Sequence, residues 1–200
     1  MLTRPVGVVR RSRVAAVTTL PRPALGALLV VVASVDLVLA LVAVPRPMFG
    51  LLDEVGHLST TWLLLAAWAA LTRRPWRPVV LGGALVATVL VDLDHVPLEL
   101  FGNDVLMRGL SRPVSHSLLT VFVLLVAGVV LPGRVGRAVG GAGIGVLLHL
   151  WRDLATAPVP LLWPLTHEVA LGRVPVWSSL VVAVAVLLLP GRRPLVSGRP

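Results

Sequence analysis

Length, composition and charge point to a lipid rather than an aqueous surrounding for this chain. It has 200 residues, of which 56% are hydrophobic and 14% are charged, and its mean hydropathy is +0.93. A soluble globular chain carries about 25% charged residues, so a water-soluble enzyme, a disordered chain and a coiled coil all fit poorly. The absence of cysteine excludes disulfides, thiolate metal sites and cysteine nucleophiles.

Apolar runs bounded by prolines predict helices that cross a membrane. A bilayer core of about 30 Å requires about 20 helical residues. We predict an all-α, polytopic membrane helical bundle with about six transmembrane helices, at Ala24–Val44, Leu58–Leu71, Val79–Val91, Val114–Leu131, Ala138–Trp151 and Val174–Pro190. This makes residues 24–190 a single transmembrane domain between a basic cytoplasmic segment (1–23) and a cytoplasmic tail (191–200).

The arginines predict the orientation of the bundle. All 18 basic residues are arginines, and with the N-terminus in the cytoplasm 13 of them lie in inner segments and 5 in outer loops. This distribution follows the positive-inside rule. It accounts for the net charge of +9 without a nucleic-acid partner, and we expect membrane lipids as the partners instead.

The other ionisable residues collect on one side of the predicted bundle. All five histidines and every acid except Asp36 fall at the outer side. An ionisable group inside a bilayer costs roughly 2.5–3.5 kcal/mol on insertion scales and suggests a functional site by default. We therefore expect a polar site sunk into the outer leaflet. Asp36, inside the first span, is interpreted as a partner of His149 or Arg152, or as a proton carrier.

Two predicted spans carry a histidine and an aspartate four residues apart. His149 and Asp153 have this spacing in the fifth span, and Asp53 and His57 have it in the second. Residues at i and i+4 stand on one face of a helix, so each pair is able to share a metal ion.

The third span ends in a more unusual sequence. Asp92, Asp94 and His95 occur within four residues of an apolar run, and such groups are costly to bury unless they are paired or bound to a metal. Asp92 and His95 share a helical face, whereas Asp94 points elsewhere in an ideal helix. Pro97 disfavours helix in the residue before it, so we expect the chain to unwind there and to turn Asp94 inward.

The fourth span opens with a further charged pair. Arg112 and His116 lie four residues apart, and Pro113 suits a first helical turn, so we expect His116 in the first turns of that helix. Imidazole and carboxylate together suit Zn²⁺, Mn²⁺ or Fe²⁺. The same spacing also fits a buried ion-pair network that holds the bundle together, with Arg112 and Arg152 as the cationic partners.

Five short motifs occur in a fixed order along residues 50–170. They are His57, Asp92-Leu-Asp94-His95, Ser115-His116-Ser117-Leu118, His149-Leu-Trp-Arg-Asp153-Leu-Ala-Thr156 and Leu161-Leu-Trp-Pro164. This series resembles the YdjM-like family of LexA-regulated, membrane-bound predicted metal-dependent hydrolases. Ser115 stands where the family usually has threonine. The resemblance implies the bacterial plasma (inner) membrane and a metal-dependent hydrolase.

The order of the same residues is similar to the ligand order of zinc-dependent phospholipase C and P1-type nucleases. Mapped by that order, one ion is held by Asp94, His116, His149 and Asp153. His57, together with a shared Asp153, helps to hold a second ion.

The predicted function is a membrane-embedded metal-dependent hydrolase that cleaves a phosphoester or ester bond of a lipid-like substrate at the outer leaflet. One or two divalent ions, Zn²⁺ before Mn²⁺ or Fe²⁺, are assigned the ligands His57, Asp94, His95, His116, His149 and Asp153. Arg112 is expected to stabilise charge on a phosphoryl or acyl oxygen, and Asp92 to act beside it.

Two other functions fit the same residues. In a divalent-cation transporter or channel the ligands form a transit site. In a non-enzymatic structural membrane protein the cluster only fixes helix packing.

Gly141 and Gly145 have the spacing of small residues that lets two helices pack closely. His167 and Glu168 are expected to form a solvated pair.

Overall fold

The computed structural model describes residues 22–96, 101–102, 105, 107, 109–165 and 168–188. In this part the chain forms six α-helices, α1 (Arg22–Leu41), α2 (Arg46–Thr72), α3 (Pro78–Leu90), α4 (Leu118–Val130), α5 (Gly133–Asp153) and α6 (Val174–Leu188). A 3₁₀ segment, Val91–His95, continues α3. Each α-helix overlaps one of the six predicted runs, so the all-α membrane bundle is confirmed. Pro97, His167, most of the basic N-terminal segment and the tail lie outside the described residues.

The helices differ in how well they match a bilayer. Three are long and apolar enough to cross it, over Pro23–Leu41, Arg46–Thr72 and Pro78–His95. The apolar helices α4 and α6 have only 13 and 15 residues. The outer surface is nonetheless apolar, since Val129 and Leu188 are 87% and 77% exposed. Apolar surface of this extent is typical of a membrane-facing protein.

Helix α2 begins well before its predicted start. Pro45 is its N-cap and Pro47 lies in its first turn, where a missing backbone N–H costs little. The helix therefore includes the polar stretch from Asp53 to His57, which was expected at the outer end of this span but precedes the apolar run Leu58–Leu71. His57 is fully buried as a result.

Glycines bring α5 into close contact with α3. A Cβ atom on Gly141 would overlap the backbone oxygen of Val80, and one on Gly145 would overlap that of Ala84. The predicted small-residue packing at Gly141 and Gly145 is thereby confirmed. This contact matters for the site because α3 and α5 each carry part of it at the same end.

Helix α4 begins later than predicted. Ser117 is its N-cap, with an extended backbone at φ −133° and ψ 158°, and the first helical residue is Leu118 rather than Val114. His116 consequently lies in the turn before the helix, and the prediction that it occupies the first turns of the helix is wrong. Pro113 takes part in that turn, where its carbonyl accepts a hydrogen bond from the His116 N–H at 2.9 Å.

We predict that Gly145→Ala lowers the thermal midpoint of the detergent-solubilised protein, whereas Gly82→Ala does not. The Cβ at position 145 would meet the α3 backbone, but the one at position 82 has no neighbour within 4 Å. Both changes favour the helix by up to about 1 kcal/mol, so the difference between them isolates the packing. Equal midpoints for the two variants would contradict a close contact between α3 and α5.

Candidate metal centre

Four parts of the chain bring imidazoles and carboxylates to one end of the bundle. They are α2, the 3₁₀ segment, the turn before α4 and the last turns of α5. His57, His116, His149 and Asp153 are all 0% exposed. All eight residues predicted for the site lie in this region, and they fall into two adjacent groups with Arg112 at the border.

The first group consists of His57, His149 and Asp153. The Nε2 atoms of the two histidines lie 3.3 and 3.2 Å from the two carboxylate oxygens of Asp153. The imidazole rings are stacked, with centroids 3.8 Å apart and planes 12° from parallel. Two protonated rings in this arrangement would repel each other across a short distance, so the stack disfavours protonation of both rings at once. The neutral imidazole is the form that binds metals.

The second group consists of Asp92, Asp94, His95 and His116. His116 Nε2 lies 2.9 Å from Asp92 Oδ1, and His95 Nδ1 lies 2.9 Å from Asp94 Oδ1. Ser115 donates a hydrogen bond to Asp94. The chain tightens into the 3₁₀ form from Val91 onward, and Val96 keeps helical dihedral angles (φ −57°, ψ −41°), so the expected unwinding before Pro97 is wrong. In the 3₁₀ form Asp92, Asp94 and His95 nonetheless belong to one cluster.

The two groups are in direct contact. Asp92 Oδ1 lies 3.2 Å from His149 Nε2, and Asp153 Oδ2 lies 3.6 Å from His116 Nε2. The grouping differs from the one drawn from ligand order, because His116 and Asp94 cluster with Asp92 and His95. Asp92, assigned a catalytic role from the sequence, lies between the two groups, where it contacts both His116 and His149.

The backbone of α3 fixes the position of one His149 proton. Its Nδ1 lies 2.8 Å from the carbonyl oxygen of Thr88, and because a carbonyl only accepts hydrogen bonds, Nδ1 is the donor. In a neutral ring the lone pair is then on Nε2, which faces Asp92 and Asp153. A hydrogen bond from the other ring nitrogen to a backbone carbonyl commonly orients histidines that bind metals.

Several buried polar atoms of the cluster have no hydrogen-bond partner among the described residues. They include both ring nitrogens of His57 and Nε2 of His149. Each such atom costs about 1–3 kcal/mol when it is left without a partner. A divalent cation among these nitrogens and the neighbouring carboxylate oxygens satisfies them together, and the donor set suits Zn²⁺, Mn²⁺ or Fe²⁺. The residues therefore fit a metal ion.

Of the two arginines considered as partners, one lies at the cluster and one lies behind it. Arg112 Nη2 is 3.0 Å from Asp153 Oδ1 and donates to Thr156 Oγ1 at 3.0 Å. Arg152 instead pairs with Asp36 at 2.5 Å. Asp36 is therefore a partner of Arg152, one of the roles considered for it. Only Arg112 is placed to contact a molecule bound at the cluster.

The loop after α5 holds the turn before α4 in place. The Leu118 N–H donates to the Leu161 carbonyl at 2.8 Å. Ser111 donates to the Glu168 carboxylate through its N–H at 2.5 Å and its hydroxyl at 3.0 Å. Glu168 thus has Ser111 as a partner, while His167, with which it was expected to form a solvated pair, lies outside the described residues.

Three neighbours of the cluster were not among the predicted site residues. Asp53 Oδ2 lies 3.6 Å from His57 Nε2, and its i, i+4 spacing to His57 was the available signal. Glu54 follows Asp53 on α2, and its Oε2 is buried without a hydrogen-bond partner among the described residues. Thr88 takes part through its main-chain carbonyl, which no side-chain pattern reveals.

Fold and site together define a helical membrane protein with a buried histidine–aspartate cluster that fits a metal. A family model described as YdjM inner membrane protein matches residues 52–198, and the chain belongs to this family. The protein is accordingly an inner-membrane protein. No curated protein and no solved structure matches the chain.

We predict that the purified protein contains a stoichiometric divalent metal and that His149→Ala or Asp153→Asn releases it. Each change removes a buried ligand atom that faces the others at 3.2–3.3 Å. Ser179→Ala is the matched control, because Ser179 is also buried and, among the described residues, bonds to Pro175 and Trp151 rather than to the cluster. Elemental analysis measures the metal. Full metal content in both cluster variants would contradict the site.

Proposed function

We propose that this protein is a metal-dependent hydrolase that cleaves a phosphoester or ester bond of a lipid-like substrate within the membrane. The observation that carries the proposal is the position of His149 Nε2 between two carboxylates. It lies 3.2 Å from Asp92 Oδ1 and 3.2 Å from Asp153 Oδ2, while the opposite nitrogen donates to the Thr88 carbonyl. When the ring is neutral, the Nε2 lone pair faces both carboxylates, and a cation among them removes the repulsion.

Two sets of residues are proposed as the metal ligands. His57, His149 and Asp153 form one, and the other is Asp92, Asp94, His95 and His116. Zn²⁺ is the preferred ion and one or two ions are bound. When bound, a divalent ion makes water nucleophilic near neutral pH and polarises the oxygen of a phosphoryl or carbonyl group. Asp92 thus moves from a catalytic to a ligand role in this proposal.

Arg112 is proposed to bind the charged group of the substrate. Its Nη2 contacts Asp153 and Thr156, while its Nε is buried without a partner among the described residues. A guanidinium so placed donates hydrogen bonds to an oxygen on which negative charge develops. Thr156 fixes the guanidinium orientation, which is the role we assign to the threonine of the HxxxDxxT motif.

The substrate class follows from the depth of the site. Asp92 and Asp94 end a segment that is long enough to cross the membrane, and the helices around it expose apolar side chains. A substrate that lies in the lipid reaches this site laterally, whereas a polar solute would first have to leave water. An amphiphile with a phosphoester or ester linkage meets this condition.

We predict that vesicles containing the protein hydrolyse a phospholipid in a metal-dependent manner and that Arg112→Lys lowers kcat by about 10²–10³-fold. Lysine keeps the charge but loses the planar fork of donors, so metal content and thermal midpoint should remain unchanged. Phosphate or fatty-acid release is measured with and without a chelator. Arg46→Lys, an exposed arginine at the start of α2, is the control.

Metal flux into the vesicles without hydrolysis would overturn this proposal in favour of a cation transporter. If Arg112→Lys lost activity only together with metal or folding, Arg112 would be structural. If neither hydrolysis nor flux occurred, and alanine at His116 or His149 lowered only stability, the structural function would hold.

The proposed orientation has the N-terminus in the cytoplasm and the site toward the extracytoplasmic face. It is supported by the distribution of the arginines under the positive-inside rule. We predict that a membrane-impermeant thiol reagent added to whole cells labels Arg173→Cys and not Arg134→Cys. Both positions are exposed and the chain has no other cysteine. The reverse labelling pattern would invert the topology.

A further inference from the structure

A lipid-facing groove runs between α3, α4 and α5 and ends at the metal cluster. Its volume is about 510 Å³, within the range of about 300–1,000 Å³ found for ligand sites. The floor consists of small side chains, Gly83 and Ala87 from α3 and Ala138 and Ala142 from α5. These small residues leave the space because α3 and α5 approach closely beneath them, as the Gly83–Ala138 contact demonstrates.

The groove is apolar along its length and polar at one end. Val86, Leu90 and Leu124 form its walls, and Asp94 and Ser115 close the end near the metal cluster. Val86 and Leu90 are 57% and 53% exposed, so the groove opens sideways to the lipid. A molecule that fills it has a hydrocarbon portion along the helices and a polar portion at Asp94.

We infer that this groove holds one acyl chain of a bilayer phospholipid, with the headgroup linkage at the Asp94 end. This inference rests on the proposed function and specifies its substrate as a phospholipid. From Gly83 to Asp94 the groove extends over roughly 17 Å of helix. This is about half of the bilayer core of roughly 30 Å, which is the depth of a single leaflet. An acyl chain spans one leaflet, whereas a polyprenyl chain is longer than the groove.

The position of the metal cluster supports the same occupant. Asp94 belongs both to the groove end and to the second ligand group, where it contacts His95 and Ser115. A chain in the groove therefore places the adjoining ester or phosphoester linkage beside Asp94. The lipid needs only to slide sideways, because the groove is open to the membrane along its length.

The test uses the full-length protein in phosphatidylglycerol vesicles that contain a phospholipid with a diazirine at the end of one acyl chain. After illumination, the adducts are mapped by mass spectrometry. We expect them at the inner half of the groove, on Val139 and Leu124, and we expect Ala142→Trp to abolish them by filling the floor. Ala185→Trp, at an exposed alanine of α6 outside the groove, should leave them unchanged.

A second variant controls for misfolding of Ala142→Trp. Thr120→Trp fills the groove from the α4 side, so loss of the adducts in both variants, at unchanged metal content, supports the inference. Adducts spread equally over α1 and α6 would overturn it, because the groove would then hold ordinary surrounding lipid. A groove without lipid adducts in which Leu124→Cys forms disulfide dimers would identify a second copy as the occupant, and would also overturn it.

The failure of this inference is distinguishable from the failure of the proposed hydrolysis. The labelling is repeated on chelator-treated protein, where we expect the groove adducts to persist because the apolar floor does not depend on the metal. Hydrolysis without groove adducts would overturn only the inference that the groove holds an acyl chain. Groove adducts in a protein that binds no metal and hydrolyses no lipid would support that inference and overturn the proposed hydrolase function.

Discussion

The burial of carboxylates at one end of an apolar bundle is the constraint on which the rest of the structure depends. Asp153 is fully buried and Asp92 and Asp94 are largely so. Such charges are stable only when they are paired or bind a cation. Arg112 supplies one positive charge, and the facing histidines supply more only when they are protonated. The stacked rings of His57 and His149 disfavour protonation of both at once, so a bound cation is a further way to balance the carboxylates.

Close packing of α3 against α5 brings the polar groups of the cluster within short distances of one another. Glycines in α5 remove the side chains that would separate it from α3, and His149 consequently reaches the α3 backbone at Thr88. The same approach leaves the small-residue floor of the lipid-facing groove. The α3–α5 contact therefore places a proton on His149 Nδ1 and also shapes the groove beside it. A bulky residue in this contact is expected to disturb both the His149–Thr88 hydrogen bond and the groove.

The sequence was sufficient to predict the helices and the residues that form the cluster, but not how those residues are arranged within it. Periodicity and the i, i+4 pairs placed His57 and His149 on helix faces because those relations are local. The division into two groups depends on the 3₁₀ form of Val91–His95, a tertiary outcome. The start of α2 was missed because Asp53 and His57 interrupt the apolar pattern, although they are buried against other polar groups rather than lipid.

Arg112 and Arg152 illustrate why the chemistry of a residue does not by itself assign its role. Both are arginines, both are buried, and both were considered as partners of the same acids. Arg152 follows His149 by three residues on α5, yet its guanidinium lies against Gly56 and pairs with Asp36 in α1. It therefore links three helices behind the cluster. Arg112 comes from a turn that the Leu161 and Glu168 contacts fix, and it reaches the cluster from the loop side. The Arg112 charge comes from a loop beside the cluster, where a bound molecule is able to contact it. The Arg152 charge is enclosed among helices and only connects them.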